Sequence, residues 1–131
     1  MKVVFDTNIL ISALALPGGQ ADSAISRIIS GIDELILSKA ILDELLGVLA
    51  RKFSRDANEL ARVAVFLTEL ATFVKPRRKL QVLNDEPDNR ILECALSGRA
   101  EVIVTGDNAM LKLAEFRGVR VMTLHDYLDL V

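Results

Sequence analysis

Lys2-Val3-Val4-Phe5-Asp6-Thr7-Asn8 opens with an apolar run that ends on an acid, and Val102-Ile103-Val104-Thr105-Gly106-Asp107 repeats the arrangement towards the other end of the chain. Apolar runs without alternation read as strands buried on both faces, the pattern of a parallel sheet. Ligands bind at the carboxyl ends of such strands. Asp6 and Asp107 are therefore expected to converge, and two further acids, Glu44 and Asp88, fall at the inner faces or starts of helices between them.

The rest of the chain alternates in the same way. Strands are expected at 2–5, 35–37, 72–74, 101–105 and 119–122. Between them Ala21, Ala24, Ile25, Ile28 and Ile29 recur at helical spacing up to Gly31, and Ser38 stands as N-cap before Ile41, Leu42, Leu45, Leu46 and Leu49. Asp56-x-x-Glu59 has the form of a capping box ahead of Leu60, Ala64, Leu67 and Leu70. Asn84 to Pro87 read as a turn, with Asp88 as N-cap of a helix that Gly98 closes. A helix from Asn108 to Arg117 is expected to stop at Gly118, and Thr123-x-x-Asp126 caps a short last one. This alternation predicts an α/β fold, a three-layer α/β/α sandwich about a mainly parallel sheet. No linker or repeat divides the sequence, so residues 1–131 are expected to form a single domain.

Composition narrows the function. Of 131 residues, 51% are apolar and 26% charged, the make-up of a soluble domain. No apolar run approaches the roughly 18 residues of a membrane span, and no export leader is legible, so a cytoplasmic location is expected. A formal charge of -2 argues against gripping nucleic acid by bulk charge, leaving only local clusters. The single cysteine, Cys94, excludes an internal disulfide and a multi-cysteine zinc site, and its apolar surroundings mark it as a packed, inert thiol. His125, the one histidine, has no site residue near it in sequence and is not expected to act as a base. Phe5, Phe66 and Phe73 fall in core-like patterns, which gives base stacking little support.

Each acid alone is explained by a cap, a turn or a solvated helix face. Together they are not. Two unit charges at 4 Å repel by about 4 kcal/mol at an effective dielectric of about 20, so gathered carboxylates call for a counterion. Ligands that are all oxygen favour Mg²⁺ or Mn²⁺ over Zn²⁺. Such an ion polarises a phosphoryl oxygen and acidifies water, which makes phosphodiester hydrolysis the natural chemistry.

Val4-Phe5-Asp6-Thr7-Asn8-Ile9-Leu10, Asp88-x-x-x-x-Glu93-x-Ala95 and Val104-Thr105-Gly106-Asp107, in this order over essentially the whole chain, resemble the PIN-domain family, in particular its prokaryotic toxin-antitoxin branch. The resemblance implies a five-stranded parallel sheet flanked by helices, and metal-dependent ribonuclease activity with Mg²⁺ or Mn²⁺. It places Asp6, Glu44, Asp88 and Asp107 on the family's four acids, with Asn8 and Thr105 as polar neighbours that position metal, water or the first acid. It also implies homodimers, an RNA substrate and a silencing antitoxin protein. Many relatives carry a further acid where this chain has Ala109, and Asn108 beside it offers only a neutral contact; Asp85 and Glu86 are the loop acids able to compensate.

Lys75, Arg77, Arg78 and Lys79 form the densest basic run, read either as RNA backbone contacts near the cleft or as a solvated loop. Arg51, Lys52 and Arg55 complement a helix C-terminus. Two other functions compete: a catalytically weak or idle PIN-like module that binds RNA or protein, motivated by Ala109, and a phosphotransferase with Asp6 as nucleophile. The latter wants a second aspartate two positions on, where Asn8 stands.

Overall fold

Three buried triplets set the sheet. Val3, Val4 and Phe5 are without solvent exposure, as are Val102, Ile103 and Val104, and Leu35 to Leu37 are at most 1% exposed, so both faces of the central strands are covered. In the computed structural model, which describes residues 1–130, these triplets belong to β1 (Lys2–Phe5), β4 (Val102–Val104) and β2 (Glu34–Ser38). With β3 (Thr72–Val74), β5 (Glu115–Phe116) and β6 (Val119–Met122) they make a sheet of order β3-β2-β1-β4-β6-β5. All pairings are parallel except β5 with β6. Helices α1 (Thr7–Ala15), α2 (Gln20–Ile29), α3 (Lys39–Lys52), α4 (Ala57–Leu70), α5 (Glu86–Ser97), α6 (Asn108–Leu111) and α7 (Leu124–Leu128) complete the sandwich.

The caps follow the sequence closely. Ser38 accepts from the Ile41 amide at 3.4 Å, and Asp56 and Glu59 bond reciprocally as a capping box. Thr123 accepts from the Asp126 amide at 3.1 Å. Arg51 and Lys52 lie in the last turn of α3, whereas Arg55 pairs with Glu59 of α4 at 3.0 Å.

Two expectations need correction. The sheet has six strands among the described residues rather than five, because the helix expected over 108–117 ends at Leu111. Ala114 takes φ +56°, and Arg117 and Gly118 both take positive φ between β5 and β6. Two central residues at positive φ are what a two-residue hairpin of the I′ kind requires, so Gly118 serves as a turn residue and not as a helix stop. The second correction concerns α5, which starts at Glu86 with Asp85 at its N-cap and Pro87 inside the first turn. Proline is tolerated there because first-turn amides have no helical acceptor. Asp88 is thereby shifted from the cap into the first turn.

At the opposite end of the sheet from the acids, Asp33 ties three elements together. Its carboxylate accepts from the N-terminal ammonium at 3.0 Å, from Arg27 Nε of α2 at 2.9 Å and from the Tyr127 hydroxyl of α7. Burial pushes its pKa up, but these three donors outweigh that and hold it below the usual carboxylate value.

Candidate active site

β1 and β4 lie side by side in the middle of the sheet, and their connections leave in opposite directions, from β1 to β2 and from β4 to β6. The crevice above the carboxyl ends of such a pair is the standard ligand site of open parallel sheets. Asp6 stands there at the end of β1, its amide bonded to the Val104 carbonyl at 2.9 Å, and Asp107 follows β4 through Thr105 and Gly106. The N-terminal turn of α5 brings Asp88 over the same crevice.

Thr105 links the first two acids. Its buried hydroxyl donates to Asp6 Oδ2 at 2.6 Å and accepts from the Asp107 amide at 3.0 Å. Asp6 is itself the N-cap of α1, accepting from the Asn8 amide at 3.4 Å, and Asp107 caps α6 through Met110 at 2.9 Å. Burial raises the Asp6 pKa; the bonds from Thr105 and Asn8 work against it and the charge of Asp107 adds to it. Asp88 is only 7% exposed, and among the described residues no amide, hydroxyl or cation donates a hydrogen bond to its carboxylate. Burial, followed by the negative charges of Asp107, Asp85 and Asp6, pushes it up to about 7.

Asp107 thus stands close enough to Asp6 and Asp88 for its charge to act on both carboxyls, and Asp6 close enough to act on Asp88. They are not a ready-made chelate: among the described residues no three Asp, Glu, His or Cys side chains already stand as a group able to hold an ion. The donor set is oxygen only, and a buried carboxyl without an amide, hydroxyl or cation donating to it, beside two more, is relieved by a divalent cation, so chemistry and charge fit Mg²⁺ or Mn²⁺. Glu44 is placed differently. Half-buried on α3, it lines a neighbouring pocket of about 170 Å³ with Thr7, Glu86, Pro87 and Arg90.

Asn8 contributes its backbone amide while its side chain faces solvent, and Asn108 and Ala109 are exposed. Asp85 acts on Asp88 by charge alone, and Glu86 pairs with Arg90 at 3.1 Å. Cys94 is fully buried, and burial pushes its thiol up to about 12, as expected of an inert packed residue. His125 is exposed and meets Asp129 at 3.3 Å, far in sequence from the acids. Arg77 and Arg78 line a pocket beside Ser97 at the far end of α5, and not the acid crevice.

Asn89 and Glu93 of α5 hold roles that the sequence does not assign, Glu93 standing there only within the family motif. Asn89 accepts from the Val82 and Leu83 amides and donates to the Leu83 carbonyl, while Glu93 accepts from the Leu80 amide and from Arg90, each at 2.7 Å. They fasten the segment after β3 along α5 and so fix the turn that carries Asp88. Their signal was a pair of polar residues four apart on the buried stripe of the helix.

A family model described as PIN domain matches residues 2–109. The uncharacterized protein MJ1680 of Methanocaldococcus jannaschii is 28% identical over 130 residues, spanning 95% of this chain and 83% of its own length. Among solved structures, VapBC2 from Rickettsia felis bound to a DNA fragment from its promoter contains a chain with TM-score 0.67 at 16% identity, covering 94% of this chain and 98% of that one. VapBC-1 from nontypeable Haemophilus influenzae contains another, with TM-score 0.65 at 19% identity and coverage of 95% and 99%. The order of the acid-bearing segments, the parallel sheet that gathers them and the family match over most of the sequence lead to one identification: the chain belongs to the PIN-domain family.

Proposed function

We propose that this chain is a Mg²⁺- or Mn²⁺-dependent endoribonuclease, the toxin component of a toxin-antitoxin system, in which Asp6, Asp88 and Asp107 hold the ion. The observation that carries this is Asp88, a nearly buried carboxyl to which no amide, hydroxyl or cation donates among the described residues, facing Asp107 and Asp6. A bound divalent cation supplies Lewis-acid stabilisation of charge on the phosphodiester and a more acidic water. The chain's own part is orientation. Thr105 and the Asn8 amide fix the Asp6 carboxylate, the Met110 amide fixes Asp107, and α5 carries Asp88 in as the less restrained third ligand. Glu44 lines the adjoining pocket with Thr7 and Glu86.

The likeness to chains of VapBC structures supports an antitoxin protein as partner, and the family resemblance supports a homodimer and a cytoplasmic setting. Among the described residues no helix is long and apolar enough to cross a membrane. The second reading, a module that binds RNA or protein without cutting, rests on exposed Ala109, which stands where many relatives carry a further acid.

The test is cleavage of RNA by rigorously purified protein with Mg²⁺ or Mn²⁺, beside Asp6→Asn and a chelated control. Cleavage by wild type alone is the expected result. Intact RNA with either metal, or equal cleavage by Asp6→Asn, contradicts it.

A further inference from the structure

We propose that Arg77, Arg78 and Arg117 form a phosphate-binding pocket that holds the RNA backbone outside the acid crevice, an inference that rests on the ribonuclease reading. The pocket, of about 230 Å³, lies between the segment after β3, which supplies Arg77 and Arg78, the C-terminal turn of α5, which supplies Ser97, and the β5–β6 turn, which supplies Arg117. Segments distant in sequence thus deliver three guanidinium groups and a hydroxyl to one concavity.

All three arginines are exposed, and among the described residues none of them makes an ion pair or a side-chain hydrogen bond. Arg27, Arg55 and Arg90, by contrast, are each paired with a carboxylate. The one acid lining the pocket, Glu93, is already occupied by Arg90 and the Leu80 amide, so the lining remains positive. Both sides are held in place. Arg117 sits at φ +48° with its guanidinium 5.0 Å from the Phe116 ring centroid, and Glu93 and Asn89 fasten residues 80–83, directly after the basic run, to α5. Guanidinium forks match phosphate oxygens in pairs, which makes a phosphate the natural occupant.

The acid crevice supplies the reason for such a pocket. Its clustered carboxylates repel a polyanion, and the chain as a whole is negative, so RNA affinity must come from cations set apart from the chemistry. Asp88 and Ser97 stand near opposite ends of α5, about 13 Å apart at the helical rise. About four stacked nucleotides span that distance.

The experiment measures binding of a 12-nucleotide single-stranded RNA by fluorescence anisotropy in chelator, so that cleavage plays no part, for wild type and for Arg77→Ser/Arg78→Ser/Arg117→Ser. The dissociation constant is expected to rise about tenfold and the salt slope to shrink by about one. Inorganic phosphate is expected to compete with RNA on wild type and not on the triple variant. Arg117→Ser alone, and a set of Arg→Lys variants with unchanged melting, keep the result independent of folding, with intermediate losses expected. Unchanged RNA affinity in the triple variant overturns the proposal, and so does phosphate binding to wild type with RNA affinity untouched, which assigns the pocket to a free anion. Failure of the ribonuclease reading shows separately, as RNA left intact with metal present.

Discussion

One hydroxyl, that of Thr105, orients two of the three converging acids, donating to Asp6 and accepting from the amide of Asp107. Thr105→Val keeps the shape and removes both bonds. Hydrogen bonds to charged groups contribute about 1.5–3 kcal/mol each, so kcat with Mg²⁺ or Mn²⁺ is expected to fall about 10- to 100-fold, while Thr105→Ser retains most activity. Equal rates for Thr105→Val and wild type would remove the hydroxyl from the account. Asp6 and Asp107 were legible in the sequence because an acid at the end of a buried strand has only one region of an α/β fold to occupy. Glu44 was not placeable in the same way. Its position within α3 is a matter of helix phase, which sequence spacing gives only coarsely, and the fold turns it towards the pocket of Glu86 and Arg90.

At the scale of elements, buried strands and capped helices were readable, and local turns were not. Gly118 and Pro87 each have two readings, and the difference lies in backbone geometry: a positive φ shared with Arg117 in one case, a first-turn position in α5 in the other. Gly98 was read as the end of α5, and it does follow the helix, but with an ordinary φ of -88°. What demands glycine there is contact, since a Cβ would overlap Ile36 Cγ2 of β2 and crowd the Cys94 carbonyl at 3.3 Å. Ile36 is 1% exposed and cannot swing away. Gly98→Ala is therefore expected to lower unfolding free energy in urea by about 1–3 kcal/mol, although alanine is the better helix former. A neutral or stabilising result would show that β2 and α5 have slack between them.

At the scale of the whole molecule, the two ends of the sheet handle buried carboxylates in opposite ways. Asp33 has an ammonium, a guanidinium and a hydroxyl donating to it, which hold its pKa down, whereas burial and the charges of Asp107, Asp85 and Asp6 push that of Asp88 up. A depressed carboxylate stabilises the fold above its unfolded value near pH 4 and loses that contribution as pH falls through the folded value. Asp33→Asn is thus expected to cost about 3 kcal/mol at pH 7, with the difference from wild type shrinking below pH 4 in urea unfolding. A difference constant with pH would mean that the charge of Asp33 is immaterial. None of this was visible in sequence, because Arg27, Asp33 and Tyr127 carry no local pattern and meet only through the fold.

Asp88 is the counterpart, and it bears on the central claim that the three aspartates share one divalent cation. Because its folded pKa is raised to about 7, binding a cation must displace a proton below that pH, and affinity is expected to strengthen from pH 6 to pH 8. Calorimetric titration of the purified chain with Mn²⁺ at both pH values, beside Asp88→Asn, tests this most directly. The account predicts one ion per chain, tighter at pH 8, with binding lost in Asp88→Asn. Heat of binding absent from wild type, or unchanged by the substitution, would contradict it.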